Sequence, residues 1–199
     1  MQAIVRVIVV CGLFATVPTL AQAPAGAPPA PAMVLTVQGF ADGAQIPVRF
    51  SQAAPGAAPG EGISPAMTWT NIPVGTRSFV LNMRDLDVAR NRTTEDQAHW
   101  VVWRIPASAT GLPEGVPRGA QLPDRSYQIS ATGAVYRGPG APASGPYHHY
   151  MFELYALDIE LDIEPTADAF ETRANIMRAI QGHVLGKAVY GGLFRRPAQ

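Results

Sequence analysis

Acidic, histidine and tyrosine side chains occur in short clusters along the middle of this sequence. Asp85 and Asp87 flank a leucine, His99 opens the run HWVVWRIP, and His148 and Tyr150 follow a segment rich in glycine and proline. Only 15% of the residues are charged, so polar side chains grouped beside apolar runs suggest a polar pocket. Imidazole and phenol groups donate hydrogen bonds, and carboxylates accept them. The clusters therefore predict a site for a small ligand.

The spacing of these residues decides which side chains can face each other. Side chains alternate between the two faces of a strand, so Asp85 and Asp87 share a face if their strand continues. By the same rule His148 shares a face with Tyr150, and His149 points away. Each pattern also has a plain alternative. The aspartates can be two solvated side chains at a strand end, and a histidine at a strand start is often structural.

Short apolar segments separated by turns favour a mainly β fold. The chain contains 19 glycines and 19 prolines, which favours strands and turns over a helical bundle. Residues from Thr166 to Gly182 have helical spacing, with Thr166 or Asp168 as the N-cap. The connections Ala107 to Val135 and Tyr136 to Pro146 are long enough to be functional loops. We predict strands at Met33 to Val37, Ile46 to Phe50, Met67 to Thr70, Ser78 to Asp85, Ala98 to Ile105, Tyr150 to Leu157 and Lys187 to Tyr190.

The first 23 residues have the layout of a secretory signal peptide. Arg6 precedes an apolar stretch from Val7 to Val17, and Ala21-Gln22-Ala23 matches an A-x-A cleavage site. The apolar stretch is shorter than the roughly 20 residues of a transmembrane helix, although a retained anchor is the alternative. We expect cleavage after Ala23 and a periplasmic or secreted protein.

Cleavage leaves one domain without thiols and without a strong net charge. Cys11 is the only cysteine and lies in the predicted signal peptide, so no disulfide or cysteine-ligated zinc is expected. The Pro/Ala-rich residues 24–32 are predicted to form a tether, and residues 33–199 a single domain. Loss of Arg6 reduces the 15 basic residues by one, against 15 acidic residues. This balance argues against nucleic-acid binding and against electrostatic docking to anionic membranes.

The order of these clusters resembles the phosphatidylethanolamine-binding protein family, and most closely its bacterial, Raf-kinase-inhibitor-like branch. The resemblance runs from about Val34 to Arg195. It implies a mainly β fold in which two antiparallel sheets form a β-sandwich, with a few peripheral helices and a small anion-binding pocket at one end. The motifs that carry it are D-x-D at Asp85, H-W-V-V at His99, Y-x-G-P-x-x-P at Tyr136, G-x-x-H-x-Y at Gly145, and the segments Phe40 to Gly43, Pro73 to Thr76 and Phe152 to Asp158.

The resemblance also implies which residues bind the ligand and shows where this chain departs from the family. The usual proline between the two aspartates is Leu86, and the first proline of a Pro-Pro pair is Ala141. The usual arginine after the pocket histidine is His149, which removes a permanent cation near the site. The segment Val88 to Ala98 is longer than the common bacterial version. The implied ligand-binding residues are Asp85, Asp87, His99, Pro142, His148 and Tyr150.

These residues suggest a phosphorylated or otherwise anionic small head group, of the phospholipid type, as the ligand. His99, His148 and Tyr150 are expected to donate hydrogen bonds to it, together with backbone N–H groups of the Gly/Pro turn. The aspartates are expected to orient a histidine or to accept from an ethanolamine ammonium. Binding should then weaken as the pH rises through the histidine titration. No cofactor is expected.

An enzyme and a protein-interaction module are the alternative functions. Ser64 lies in GISPA, which lacks the closing glycine of a nucleophile elbow, and no zinc-protease or thiolate motif occurs. We therefore predict no catalytic residue and no metal site, although a mononuclear metal held by His99, His148 and an aspartate is geometrically conceivable. A periplasmic protein partner at the pocket rim is the other alternative. The kinase-inhibitor label does not transfer to a secreted bacterial protein.

Overall fold

The computed structural model describes residues 31–198, and these form two antiparallel β-sheets with one α-helix. The three-stranded sheet has the order β1-β2-β5, and the five-stranded sheet has the order β6-β4-β3-β7-β8. The predicted fold class is confirmed. The predicted signal peptide and most of the predicted tether lie outside the described residues. The strands are β1 (Val34–Val37), β2 (Met67–Thr70), β3 (Ser78–Asp85), β4 (Gln97–Pro106), β5 (Gly111–Leu112), β6 (Tyr127–Ile129), β7 (His148–Leu157) and β8 (Val184–Phe194), and the helix is α1 (Ala169–Ala179).

The central strands of the larger sheet are buried on both faces. Phe79 and Leu81 of β3 belong to a hydrophobic core that also contains Trp69 of β2, so this core lies between the two sheets. Val80 of β3 points to the opposite face and packs in a second core with Ile176 of α1. Burial of each such side chain contributes about 1.5–3 kcal/mol. The strands β3 and β7 are therefore a rigid frame for residues at their ends.

The helix begins where the sequence predicts a cap. Asp168 is the N-cap, and its carboxylate accepts from the backbone N–H groups of Phe170 and Glu171. The helix is shorter than the predicted segment, because Ile180 is already its C-cap and Gly182 has a positive φ of 84°. Within residues 31–198, no helix has both the length and the apolar character needed to cross a bilayer.

Two of the predicted segments differ from the structure. The predicted strand Ile46 to Phe50 is wrong, because Val48–Phe50 forms a 3-10 helix and only a single bridge pairs at the neighbouring Gln45. Pro47 precedes this turn and has no N–H to donate to a strand. Phe50 is nevertheless fully buried. Its apolar side chain therefore indicated a position in the core, but not an extended backbone. The predicted loop Ala107 to Val135 also contains the short strands β5 and β6.

Candidate functional site: a polar pocket at the end of β3

The site is built where β3 ends beside β7. Asp85 is the last residue of β3 and pairs directly with Tyr150 of β7. Both lie on the face that carries the core between the sheets, and only 3% of Asp85 and 0% of Tyr150 is exposed. The ring of His148 stacks 6.4 Å from the ring of Tyr150, between centroids. The predicted sharing of one face by His148 and Tyr150 is confirmed.

A β-bulge brings His99 to the same place. Its neighbours Ala98 and Trp100 pair with consecutive residues of β3, whereas His99 has no partner there. The extra residue of a bulge leaves the regular alternation, so its side chain is aimed differently. The His99 ring consequently lies edge-on to Tyr150, with 5.0 Å between ring centroids. His99 Nε2 is 3.9 Å from Asp85 Oδ2.

The loop between β6 and β7 closes over these side chains. The hydroxyl oxygen of Tyr150 accepts from the backbone N–H groups of Gly140 at 3.1 Å and Ala141 at 3.2 Å. The loop also lies close to the 3-10 segment, since a Cβ on Gly138 would come within 2.7 Å of the carbonyl oxygen of Phe50. Only glycine permits that approach. The loop is therefore fixed against two separate elements.

Hydrogen bonds set the orientation of both histidines in the pocket. His148 Nδ1 donates to Asp85 Oδ2 at 2.8 Å, which leaves Nε2 of His148 without a hydrogen-bond partner among residues 31–198. His99 Nδ1 lies 3.0 Å from the carbonyl oxygen of Arg137. Because a carbonyl can only accept, this nitrogen of His99 carries the hydrogen.

Burial keeps His99 uncharged. It lowers the pKa of His99 to about 4, although the hydrogen bond to Arg137 and the charge of Asp85 oppose the change. At neutral pH the remaining nitrogen, Nε2, is thus an acceptor. We therefore assign His99 to positioning the loop at Arg137, in place of the expected donation to a ligand.

Tyr150 also stays protonated. Burial, and after it the negative charge of Asp85, raise the pKa of the Tyr150 phenol. Because its oxygen already accepts two backbone N–H groups, the hydroxyl has one hydrogen left, and the Asp85 carboxylate is an acceptor within its reach. The Gly/Pro turn, conversely, has no N–H left at Gly140 and Ala141 for a ligand.

Arg137 is a cation of this pocket that the sequence did not single out. Its backbone N–H donates to the carbonyl oxygen of His99 at 3.1 Å, and its own carbonyl accepts from the His99 ring. Burial lowers the pKa of Arg137, whereas Tyr150 and Asp85 raise it, so the guanidinium lies within electrostatic reach of both. Its Nε is buried and has no hydrogen-bond partner within residues 31–198. The proximity of Arg137 to Tyr150 and Asp85 depends on the bulge at His99 and therefore cannot be predicted from the sequence.

Asp87 lies at the edge of the pocket because β3 ends two residues earlier. Its Oδ2 accepts from the backbone N–H of His149 at 2.6 Å and from the ring Nδ1 of His149 at 3.0 Å. Burial alone would raise the pKa of Asp87, but these hydrogen bonds lower it below its usual value. The expectation that Asp87 shares a face with Asp85 required the strand to continue, and it does not.

Pro142 lies on the rim. It is exposed, and its carbonyl oxygen accepts from the backbone N–H of Gly145 at 3.2 Å, which closes a turn. The structure therefore brings four of the six predicted residues together, with Asp87 at their edge, where its backbone N–H donates to Asp85 Oδ1 at 3.0 Å, and with Pro142 on the exposed rim. The four that meet are Asp85, His99, His148 and Tyr150.

Two features of residues 31–198 bear on the metal-site and serine-nucleophile alternatives. No group of three or more His, Cys, Asp or Glu side chains is arranged to hold a metal ion among residues 31–198. Ser64 is 1% exposed, and its Oγ accepts from the backbone N–H of Val116 at 2.9 Å. That contact holds two loops together.

Comparison with known proteins gives matches over almost the whole described region. A family model described as phosphatidylethanolamine-binding protein matches residues 36–195. The UPF0098 protein of Methanothermobacter thermautotrophicus is 40% identical over 166 residues, which are 82% of this chain and 99% of that protein. Escherichia coli YbcL, whose structure is described as a new member of the mammalian PEBP family, has a TM-score of 0.68 and 25% identity over 83% of this chain and 99% of YbcL. CT736 of Chlamydia trachomatis has a TM-score of 0.67 and 28% identity, with the same coverage of 83% and 99%.

Proposed function

The chain belongs to the phosphatidylethanolamine-binding protein family, and we propose that it binds an anionic, phosphate-bearing head group of the phospholipid type without catalysing a reaction. The proposed site consists of Asp85, His148, Tyr150 and Arg137, with His99 as a positioning residue. The observation that carries the proposal is the half-buried guanidinium of Arg137, whose Nε has no partner among the described residues.

Two side chains have nitrogen atoms left for an oxyanion. Arg137 supplies a permanent positive charge, and guanidinium groups bind phosphate oxygens through two parallel N–H donors. His148 uses Nδ1 for Asp85 and keeps Nε2 for the ligand. In this chain Arg137 therefore supplies a cation, although His149 replaces the usual family arginine.

The hydrogen bond between His148 and Asp85 gives the site a pH dependence of known sign. With Nδ1 donating to Asp85, a neutral His148 has a bare Nε2, which can only accept. A doubly protonated His148 donates from Nε2 and attracts an anion. Affinity for a phosphate should therefore be higher in acidic than in alkaline solution. The carboxylate of Asp85 is also a suitable acceptor for the ammonium of an ethanolamine group.

Isothermal titration calorimetry with phosphorylethanolamine and with inorganic phosphate tests the proposal. Arg137→Gln and His148→Gln should each weaken binding about tenfold or more, since a hydrogen bond to a charged group contributes about 1.5–3 kcal/mol. Arg118→Gln is the matched control, because Arg118 is exposed and pairs with Glu61 outside the site. Unchanged affinity in Arg137→Gln would contradict the proposed site. Absence of heat with either anion, from folded protein, would favour a protein partner at the rim.

We also propose that the protein is exported. The support is that residues 1–23 contain, in this order, a basic residue, an apolar stretch and an A-x-A site. These residues lie outside the described part of the chain. Edman sequencing of the protein from its native host should begin at Pro24. A sequence that begins at Met1 or Gln2 would contradict export by signal cleavage.

A further inference from the structure

A second cluster of cations lies at the opposite end of the larger sheet. It lines a cleft of about 230 Å³ and contains Arg77, Arg104 and Arg125, which we call the arginine cleft. Arg77 precedes the first residue of β3, whereas Asp85 is its last. The eight-residue length of β3 places the arginine cleft about 23 Å from the pocket. The two sites are therefore separate.

The three arginines come from different segments of the chain. Arg77 directly precedes β3, Arg104 lies near the end of β4, and Arg125 lies in the turn before β6. Arg104 belongs to a β-bulge, because two residues of β4 lie opposite the single residue Val80 of β3. Convergence of three segments places the backbones of three arginines around one cleft.

Two of the arginines adopt a backbone conformation that side chains normally avoid. Arg104 has φ of 59° and Arg125 has φ of 72°. Left-handed backbone at a residue other than glycine, asparagine or aspartate is strained, and such strain is concentrated at binding and catalytic sites. Here both strained residues contribute their side chains to the same cleft.

The lining of the cleft carries three guanidinium groups and two carboxylates, and Glu160 lies within electrostatic reach of Arg77 and Arg125 as well as of Arg104. Arg104 Nε donates to Glu160 Oε1 at 2.9 Å, so one guanidinium is paired. The second carboxylate, Asp124, accepts from the backbone N–H and the hydroxyl of Ser126 through Oδ1. The side chains of Arg77 and Arg125 are exposed and make no hydrogen bond or ion pair with another residue between 31 and 198.

We propose that the arginine cleft binds a tetrahedral oxyanion, phosphate or sulfate, either free or as a group on a larger molecule. Two unpaired guanidinium groups present N–H forks that match the oxygen spacing of such an anion. The third, Arg104, is held in place by Glu160. A water molecule occupies about 30 Å³ in the liquid, so the cleft has room for a group several times that size.

Nuclear magnetic resonance can measure binding at this cleft separately from the pocket. We would titrate inorganic phosphate into ¹⁵N-labelled protein carrying Arg137→Gln, at constant pH and ionic strength, and follow the Nε–Hε signals of Arg77 and Arg125. The signals should shift and saturate. Arg77→Gln and Arg125→Gln should each weaken the binding about tenfold, whereas Arg178→Gln, at an exposed position of α1, should leave it unchanged.

Parallel titrations separate the sources of the anion. Sulfate that binds like phosphate would indicate recognition of charge and shape, and tighter binding of phosphorylethanolamine than of phosphate would indicate an esterified group. Shifts that stay linear in phosphate concentration, or saturation that is the same in Arg77→Gln and Arg125→Gln, would overturn the proposal. Arg77, Arg125 and Arg178 are exposed, whereas Arg137 is half-buried. Retention of the fold is therefore checked for every variant from the remaining amide spectrum.

Discussion

His99 should make the protein less stable in acid, because its ring must stay neutral in the folded state. Only 2% of His99 is exposed, and burial lowers its pKa from 6.5 to about 4. Between these two pH values the unfolded chain binds a proton at His99 and the folded chain does not. The free energy of unfolding therefore rises with pH in this window. The difference between the pKa values of His99 in the unfolded and the folded chain corresponds to about 3 kcal/mol of stability. This stability is present above pH 6.5 and is lost as the pH falls to about 4.

Urea unfolding at pH 7, 5 and 4 measures this loss, with fluorescence of the buried Trp100 and Trp103 as the signal. His99→Asn removes the titrating ring and keeps an N–H that can donate to Arg137. Between pH 7 and pH 4 the wild type should lose about 3 kcal/mol more than His99→Asn. His183→Asn, which removes a half-exposed histidine paired with Asp158, serves as the control and should behave as the wild type.

Equal losses in the wild type and in His99→Asn would show that the His99 ring does not cause the loss of stability in acid. A direct titration would refute the reasoning, if the ring signals of His99 changed near pH 6.5 in the folded protein. That result would mean that the folded state accommodates a charged ring at His99. The neutral, loop-positioning role of this residue would then have to be abandoned.

Three further substitutions test individual contacts. Tyr150→Phe removes the acceptor of the Gly140 and Ala141 N–H groups. The free energy of unfolding in urea should therefore fall by about 2 kcal/mol. Unchanged stability would show that other contacts hold the loop in place. Asp87→Asn should change phosphate affinity by no more than about twofold, because Asp87 lies at the edge of the pocket, and a tenfold loss in calorimetry would place it inside. Asp168→Ala should lower stability by about 1 kcal/mol through loss of the helix cap, and an unaltered thermal midpoint would argue against that cap.

Much of the fold follows from patterns that act over a few residues. The apolar residues of β3 and β7 predicted both strands closely, because alternate residues of each strand pack in the core between the two sheets. The cap at Asp168 followed from the chemistry of its carboxylate. The error at Ile46 to Phe50 arose because an apolar run reports burial, and a buried 3-10 turn has the same composition as a short strand.

The site was predictable only in part, because two of its features depend on tertiary structure. The clusters of polar residues predicted a pocket that contains Asp85, His99, His148 and Tyr150, and the alternation of a strand places His148 beside Tyr150. No local pattern signals the bulge that aims His99 at Tyr150. The end of β3 at Asp85 was predicted, and only the conditional expectation that the strand continues to Asp87 was wrong. Arg137 lies beside the pocket because its backbone is hydrogen-bonded to His99, and no sequence pattern predicts that contact.

The most direct test of the account is a crystal structure of the protein with phosphorylethanolamine, grown in mildly acidic solution. We predict phosphate oxygens about 2.7–2.9 Å from His148 Nε2 and from a guanidinium nitrogen of Arg137, with His148 Nδ1 still bonded to Asp85. A phosphate found only in the arginine cleft, or an empty pocket at a concentration that saturates the protein in solution, would contradict the proposed binding site.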